Sequence, residues 1–478
     1  MTETKNKTVN ERMILASIVL GSFMAALDAT IVTVALPTMA EDFATRGSTT
    51  GISWVLLGYT LALCCFILLW GKLGSRYGYR KLFVTGVGIF ALMSLFIGLI
   101  GTFGGAGLTE IVILRIVQGL GAGMIMSMSL AMVGCYMPNS KGKATGAITL
   151  ASSAGTAFGP ALGGLLCNFD WSFIFFINVP IGILCLLMCA KYMSAVSETL
   201  NRDQKMDTVG TVFMVLMMFT LVYFLNTGNG NGWTSETSIG LMFLIMIFAG
   251  LLVWWEQRVA DPLISLRLMG QRDVVEGNAV ALLLFAGMAG TYFLLPYFLE
   301  LCQGYSTVEM GLIIIANSVG MMVVGPAVGR HSDRTGLNSR VVSLGCLIMA
   351  AGLLMMVHLA ADTSLWYILL ALFIMGAGTS IALVADTNLC LGYAEKDESG
   401  EVSGLINTFR QAGSTAGVAI TEAVFAASVT FTALGFSPSA LMTGFRPAFV
   451  VTTLLVLIAF VLSMHVKDRK VRMITDGF

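Results

Sequence analysis

The sequence predicts an all-α membrane protein with fourteen transmembrane helices, on three observations. Charged residues are 11% of the 478 and hydrophobic residues 56%. Soluble domains run at about 25% charged, and one aqueous core cannot bury this much apolar surface. The apolar residues gather into stretches of about 20, the length that crosses roughly 30 Å of hydrocarbon. Lysine and arginine fall almost wholly in alternate connections, the way positive charge sorts across a bilayer. A net charge of zero says nothing of partners, so placement carries the information.

In chain order, the first span is 13–37. It follows a polar, cationic start with Lys5, Lys7 and Arg12 and no small-residue cleavage pattern, and so reads as an uncleaved helix rather than a signal peptide. Further apolar stretches cover 51–71, 82–102, 107–134, 143–168, 172–192, 207–226 and 237–256. Six more follow at 276–300, 307–330, 340–360, 364–391, 400–430 and 445–466. Glycine and proline inside them are compatible with spanning where neighbouring helices satisfy the backbone.

An even number of spans puts both termini on one side. If that side is cytoplasmic, it collects Lys72, Arg76, Arg80, Lys81, Lys141, Lys143, Lys191, Arg202, Lys205, Arg258, Arg267, Arg272, Arg330, Arg334, Arg340, Lys396 and the tail from Lys467 to Arg472. The outer loops keep Arg46, with Arg446 at the outer entrance of the last span. The nine cysteines lie mostly in apolar runs without a CxxC spacing and read as small apolar residues. Cys185 and Cys189 share a face, but no histidine or acid is near them in sequence, and no metal site is expected.

The chain matches itself at a shift of about 258 residues. Gly71-Lys72-Leu73-Gly74-Ser75-Arg76-Tyr77-Gly78 aligns with Gly329-Arg330-His331-Ser332-Asp333-Arg334-Thr335-Gly336, and Gly155 and Gly159 fall on Gly413 and Gly417. Pro37 and Glu41 land within one residue of Pro296 and Glu300. The organisation expected is a six-helix bundle over 1–192, a linker over 193–275 containing an inserted hairpin at 207–256, and a second bundle with a tail over 276–478. Parallel repeats of this kind are a secondary-transporter architecture with substrate bound near the midplane.

Several motifs carry a family resemblance over essentially the whole length. Leu27-Asp28-Ala29-Thr30 through Ala35-Leu36-Pro37 resembles a first-helix signature, and Gly71 to Lys81, with Arg76, Gly78 and Arg80, resembles a loop motif whose second copy keeps Asp333 and Arg334. Arg115 with Gln118-Gly119-Leu120-Gly121-Ala122-Gly123 resembles a helix-4 motif. Gly155 through Gly159-Pro160-Ala161-Leu162-Gly163-Gly164 resembles a helix-5 antiporter motif, and Asn407 to Gly413 adds a fifth match. Together they resemble the fourteen-helix drug:proton antiporter branch of the major facilitator superfamily. The resemblance implies two six-helix halves with a two-helix central insertion, and export of amphipathic drugs, dyes or antiseptics in exchange for protons. Ser75 departs from the loop motif, where the family has an acid that helps hold one end state of the cycle.

Charges within the bilayer cost about 2.5–3.5 kcal/mol each on insertion scales, so those present should face a cavity or a partner. They are Asp28, Arg115, Asp386, Arg410 and Glu422, with Glu110 and Glu300 nearer the outer surface. Asp28, fifteen residues past Met13, and Arg115, eight residues into a helix starting outside, reach comparable depth. Asp28 is the expected proton carrier with Arg115 its modulator. The other reading is a fixed pair that pins helices. His331, His358 and His465 lie near membrane surfaces and lack the depth of a relay.

Arg410 is a candidate substrate or gating charge, or a structural tie to Asp386. Glu422 is a second candidate proton site or a draw for cationic substrates, or else a packing acceptor. Glu300 joins Arg410 and Asp386 as a substrate or gating candidate. Gly155, Gly159 and Gly163 recur every four residues and make a groove for another helix, with Pro160 bending the rod. Thirty methionines and twenty-nine phenylalanines supply apolar wall for lipid, core or ligand.

No Walker-type GxxxxGK[ST] is present, so gradient coupling is the expected energy source, with no cofactor and no enzymatic activity. The partners expected are an amphipathic small molecule, protons and lipid, with no nucleic acid, and the chain is expected to function as a monomer in a bacterial-type inner membrane. Transport of an amphipathic anion such as a bile or steroid acid, with Arg115 and Arg410 as counter-charges, is the alternative. A non-transporting sensor is a third class, against which the paired halves and inward charges count.

Overall fold

The computed structural model describes residues 2–45, 54–103, 107–137, 140–167, 169–193, 207–259, 266–394, 399–428 and 438–468, and among these there is no β-strand. The helices in order are α1 (Thr2–Thr45), α2 (Trp54–Tyr77), α3 (Tyr79–Phe103), α4 (Leu108–Tyr136), α5 (Lys141–Cys167), α6 (Phe173–Phe176), α7 (Asn178–Tyr192), α8 (Thr208–Asn231) and α9 (Glu236–Glu256). They continue with α10 (Leu266–Met269), α11 (Arg272–Leu301), α12 (Thr307–Thr335), α13 (Ser339–Val357), α14 (Leu365–Tyr393), α15 (Ser399–Ser428) and α16 (Pro438–Ser463). Of the cationic positions above, Arg46, Arg202, Lys205, Lys396 and the tail beyond Asp468 lie outside the described residues.

The fourteen expected spans appear as long helices, with three refinements. The polar start is already helical and the helix does not stop at 37, so α1 begins well before residue 13 and continues to Thr45. The span at 172–192 is two pieces meeting at Ile177, because Pro180 has no N–H to give the Phe176 carbonyl. Thirteen of the described helices are long and apolar enough to cross a bilayer, α6 and α7 counting as one. α15 is the remaining long helix. It has 30 residues but carries Glu401, Arg410, Gln411 and Glu422.

Several helix starts are set by side chains that satisfy orphan N–H groups. Asp207 accepts from the Gly210 N–H at 2.8 Å to begin α8, and Ser235 accepts from the Ser238 N–H at 3.2 Å to begin α9. Ser306 and Glu309 form a reciprocal capping box on α12.

Two compact units result, residues 1–206 with 394–407 and residues 207–393 with 408–478, and the inserted hairpin α8–α9 falls in the second. The repeat is visible inside each unit. Gly78 ends its helix at φ +109° and its N–H reaches the Gly74 carbonyl at 2.9 Å. Gly336, 258 positions later, ends α12 at φ +65° and its N–H reaches the Ser332 carbonyl at 2.9 Å. Both turns need the left-handed region that glycine enters without strain.

The expected glycine groove on α5 receives α1. A methyl added at Gly155 would stand 2.6 Å from the Phe23 carbonyl oxygen and 2.9 Å from the Leu27 nitrogen, and one at Gly159 would overlap the Thr30 hydroxyl. In the second unit, methyls at Gly413 and Gly417 would overlap the carbonyl oxygens of Leu282 and Ala286 on α11. Gly163 is buried, whereas a methyl at Gly164 meets nothing within 4 Å, so Gly164 is outside the groove. Pro160 is half-buried inside α5.

Because backbone faces backbone at Gly155, Gly155→Ala is expected to lower stability by about 1–3 kcal/mol through overpacking. Gly164→Ala, with open space and better helix propensity, is expected to be neutral or stabilising by up to about 1 kcal/mol. Thermal unfolding of purified protein in detergent reads both; equal losses would mean that the groove is not the point of contact.

Candidate functional site

The α1–α5 contact fixes a stretch of α1 whose charged residue is Asp28. This side chain and that of Arg115 on α4 are both 0% exposed, and Arg115 Nη1 donates to Asp28 Oδ2 at 2.8 Å. The sequence expectation that the two meet is thus met directly. Asp28 Oδ1 accepts from Gln118 Nε2 at 3.1 Å and from Asn178 Nδ2 at 3.0 Å. Arg115 also donates to Gln118 Oε1 at 2.7 Å and through Nε to the Val55 carbonyl at 3.1 Å. Gln118 Nε2 donates further to Ser94 Oγ at 2.8 Å.

The guanidinium lies over the Tyr59 ring, 4.3 Å from its centroid, with the Phe175 ring at 5.7 Å. Arg115 Nη2 has no hydrogen-bond acceptor, so the Tyr59 π-face is its nearest compensation. Six elements, α1, α2, α3, α4, α6 and α7, thereby converge on one ion pair. A charge pair sealed from solvent and tied by this many bonds is rigid, and its geometry changes if either charge is neutralised.

Gln118, Asn178, Ser94 and Tyr59 were not among the sequence candidates. Gln118 was legible, since i and i+3 positions share a helix face with Arg115. Asn178 also left a signal, as an amide inside an otherwise apolar span. Tyr59 left none, because nothing in an apolar run marks which ring sits over a cation.

The other candidates are dispersed. Asp386 on α14 is buried, and Arg410 on α15 is half-buried, its Nη2 donating to Thr387 Oγ1 and its guanidinium 5.5 Å over the Phe285 ring. The tie that Arg410 makes to α14 runs through Thr387 and not through the expected Asp386, whose Oδ2 has no hydrogen-bond partner. Glu422 is half-buried twelve residues further along α15, about 18 Å from Arg410 along the axis. Glu300 is exposed at the end of α11.

In the loop motif, Arg76 and Arg80 are half-buried, Arg76 beside the Tyr77 ring at 5.4 Å, while Asp333 and Arg334 are exposed. Gly71 backs onto Gly400 within the first unit, and the buried Ser75 hydroxyl lies 3.2 Å from the Tyr79 hydroxyl. A methyl at Gly400 would stand 2.6 Å from Ser75 Oγ, so the place of the usual acid is filled by close backbone packing.

A family model described as Major Facilitator Superfamily matches residues 18–418. The chain belongs to the major facilitator superfamily. Among curated relatives, it is 32% identical over 417 residues to the multidrug resistance protein Stp of Mycobacterium tuberculosis, covering 86% of this chain and 75% of that one. It is 32% identical over 424 residues to the tetracenomycin C resistance and export protein of Streptomyces glaucescens, covering 87% and 76%. Among solved structures, the human organic anion transporter MFSD10 (TETRAN) superposes with a TM-score of 0.68 at 16% identity, covering 95% of this chain and 99% of that one, a likeness of fold. This superfamily member is a multi-pass membrane protein whose ion-paired core lies inside the matched region.

Removing one charge of a buried pair strands the other, at about 3–5 kcal/mol. Arg115→Gln is therefore expected to lower stability by that amount, and the neutral double variant Asp28→Asn, Arg115→Gln to recover much of it through amide hydrogen bonds. Unfolding midpoints in detergent test the pairing; a double variant no more stable than the single one would mean the two charges are not coupled.

Proposed function

We propose that this chain exports amphipathic organic compounds such as drugs, dyes and antiseptics in exchange for protons, by alternating access between two six-helix halves, 1–192 and 276–478. The observation that carries the reading is the sealed Asp28–Arg115 pair, held by five hydrogen bonds in the core of a multi-pass superfamily member. The names of relatives in Mycobacterium and Streptomyces, multidrug resistance and antibiotic export, support the substrate class. A proton delivered to Asp28 removes the charge that Arg115 answers, while Val55 and Gln118 keep the guanidinium in place. Protonation thus loosens α1 from α4 without freeing the arginine. Each proton moving inward across 100 mV supplies about 2.3 kcal/mol.

In this reading the termini are cytoplasmic, the chain acts as a monomer in a bacterial-type inner membrane, and no cofactor takes part. Glu422 and Glu300 are acidic positions suited to cationic compounds. The anion alternative loses one of its two counter-charges, since Arg115 is fully buried and already paired.

The test is ethidium efflux from cells without their own pumps, repeated in inverted vesicles with an imposed pH gradient. Expression of the chain is expected to lower ethidium accumulation, with the effect lost on adding a protonophore. Asp28→Asn is expected to reduce export on the order of tenfold or more, because tenfold corresponds to only about 1.4 kcal/mol. Ethidium movement indifferent to the pH gradient, or unaltered in Asp28→Asn, would defeat the proposal.

A further inference from the structure

The second unit buries a carboxyl group in a setting unlike that of Asp28. Asp386 is 1% exposed on α14, seven residues, about 10 Å, before the helix ends at Tyr393. Its Oδ2 has no hydrogen-bond partner, and its Oδ1 meets the Cys390 thiol, a weak donor, at 4.0 Å. Asp28, by contrast, accepts from three side chains, one of them a guanidinium.

The nearby cation compensates only in part, and through space, with no hydrogen bond to the carboxyl group. Arg410 is engaged with Thr387 and the Phe285 ring, and its buried Nε has no acceptor. From α11, Asn278 Nδ2 donates to the Val274 carbonyl at 2.8 Å and approaches Cys390 Sγ at 4.0 Å, leaving its own Oδ1 without a donor. The α11 backbone lies directly over the acid, since a methyl at Gly277 would stand 3.2 Å from Asp386 Oδ1 and 3.0 Å from Cys390 Sγ.

An ionised carboxylate there would be stripped of water with almost nothing in return. A neutral acid carries no charge to desolvate and adds an O–H donor to a cluster in which Asn278 Oδ1 has none. The titratable or charged groups facing it are Cys390 on its own helix, Cys346 from α13 and Arg410 from α15. α11 contributes the amide of Asn278, and among the described residues α12 contributes no such group.

We propose that Asp386 is a proton-binding site of the second unit, carrying its proton in this structure and releasing it when Arg410 closes on it. Release returns one H+ to water and leaves a carboxylate, so Asp386 and Arg410 together pass from a charge of +1 to 0. Uptake is the reverse, and Arg410 returns to Thr387. That this proton is exchanged for exported compound rests on the export reading above; the site itself does not.

Infrared spectroscopy of the full chain in lipid at neutral pH tests it. The wild type is expected to show a carboxylic-acid C=O band that shifts on labelling aspartate carboxyls with carbon-13, persists in Asp28→Asn and is lost in Asp386→Asn. Absence of the band, insensitivity to the aspartate label, or survival in Asp386→Asn overturns the site. The labelled wild type decides the first two points without any substitution, so a poorly folded variant does not blunt the test. Ethidium export measured on the same preparations separates the two ideas: a label-sensitive band lost in Asp386→Asn, without proton-driven export, removes the export reading and keeps the site, while export without the band does the reverse.

Discussion

Hydrocarbon offers no hydrogen bonds, and the Arg115 guanidinium is where that constraint presses hardest on this fold. Its charge cannot snorkel to water from a fully buried position, so partners must be brought to it. Six elements do so, and the result reaches well beyond the pair. α4 is tied to α1 through Asp28 and to α2 through the Val55 carbonyl, while α7 is drawn in by Asn178. The glycine groove on α5 then holds α1 from the other side, at Phe23, Leu27 and Thr30, so the residue bearing the negative charge has little freedom to withdraw.

The repeat makes the placement of charge more informative than it would be alone. The two halves share glycine turns at Gly78 and Gly336 and glycine grooves at Gly155 and Gly413. Their charged cores do not match. At the same shift Asp28 corresponds to Ala286, Arg115 to Phe373 and Gln118 to Gly376. In the opposite direction Asp386 corresponds to Met128 and Arg410 to Ser152. Mechanical features have been kept in duplicate and ionisable ones have diverged, as expected if packing is needed on both sides and each half handles charge differently.

Much of this was legible in the residues, for identifiable reasons. Span length and the sorting of lysine and arginine are one-dimensional signals, and they located most ends of the long helices to within about five residues, the exceptions being both ends of α1, the end of α2 and the start of α16. The meeting of Asp28 and Arg115 followed from counting depth along two helices. What sequence could not supply was azimuth. Arg410 and Asp386 share a unit, yet the hydrogen bond from the guanidinium to α14 goes to Thr387. Gly164 continues a glycine-rich motif but faces open space, and Tyr59 is one ring among many until it lies over a cation. The break at Ile177 was readable from Pro180, whereas the packing of Gly400 on Gly71 joins segments more than 300 residues apart, which no local pattern records.

α15 carries a consequence for biogenesis. It is thirty residues long and, among the described long helices, the one without a stretch apolar enough to cross a bilayer, so a translocon presenting it alone would find its partition into lipid unfavourable. Its acceptance depends on neighbours already waiting: α11, whose backbone fits Gly413 and Gly417, and α14, whose Thr387 receives Arg410. Insertion of the penultimate long segment is therefore a templated event, and a lesion in α11 or α14 would surface during synthesis as a topological error before it surfaced as a defect in transport.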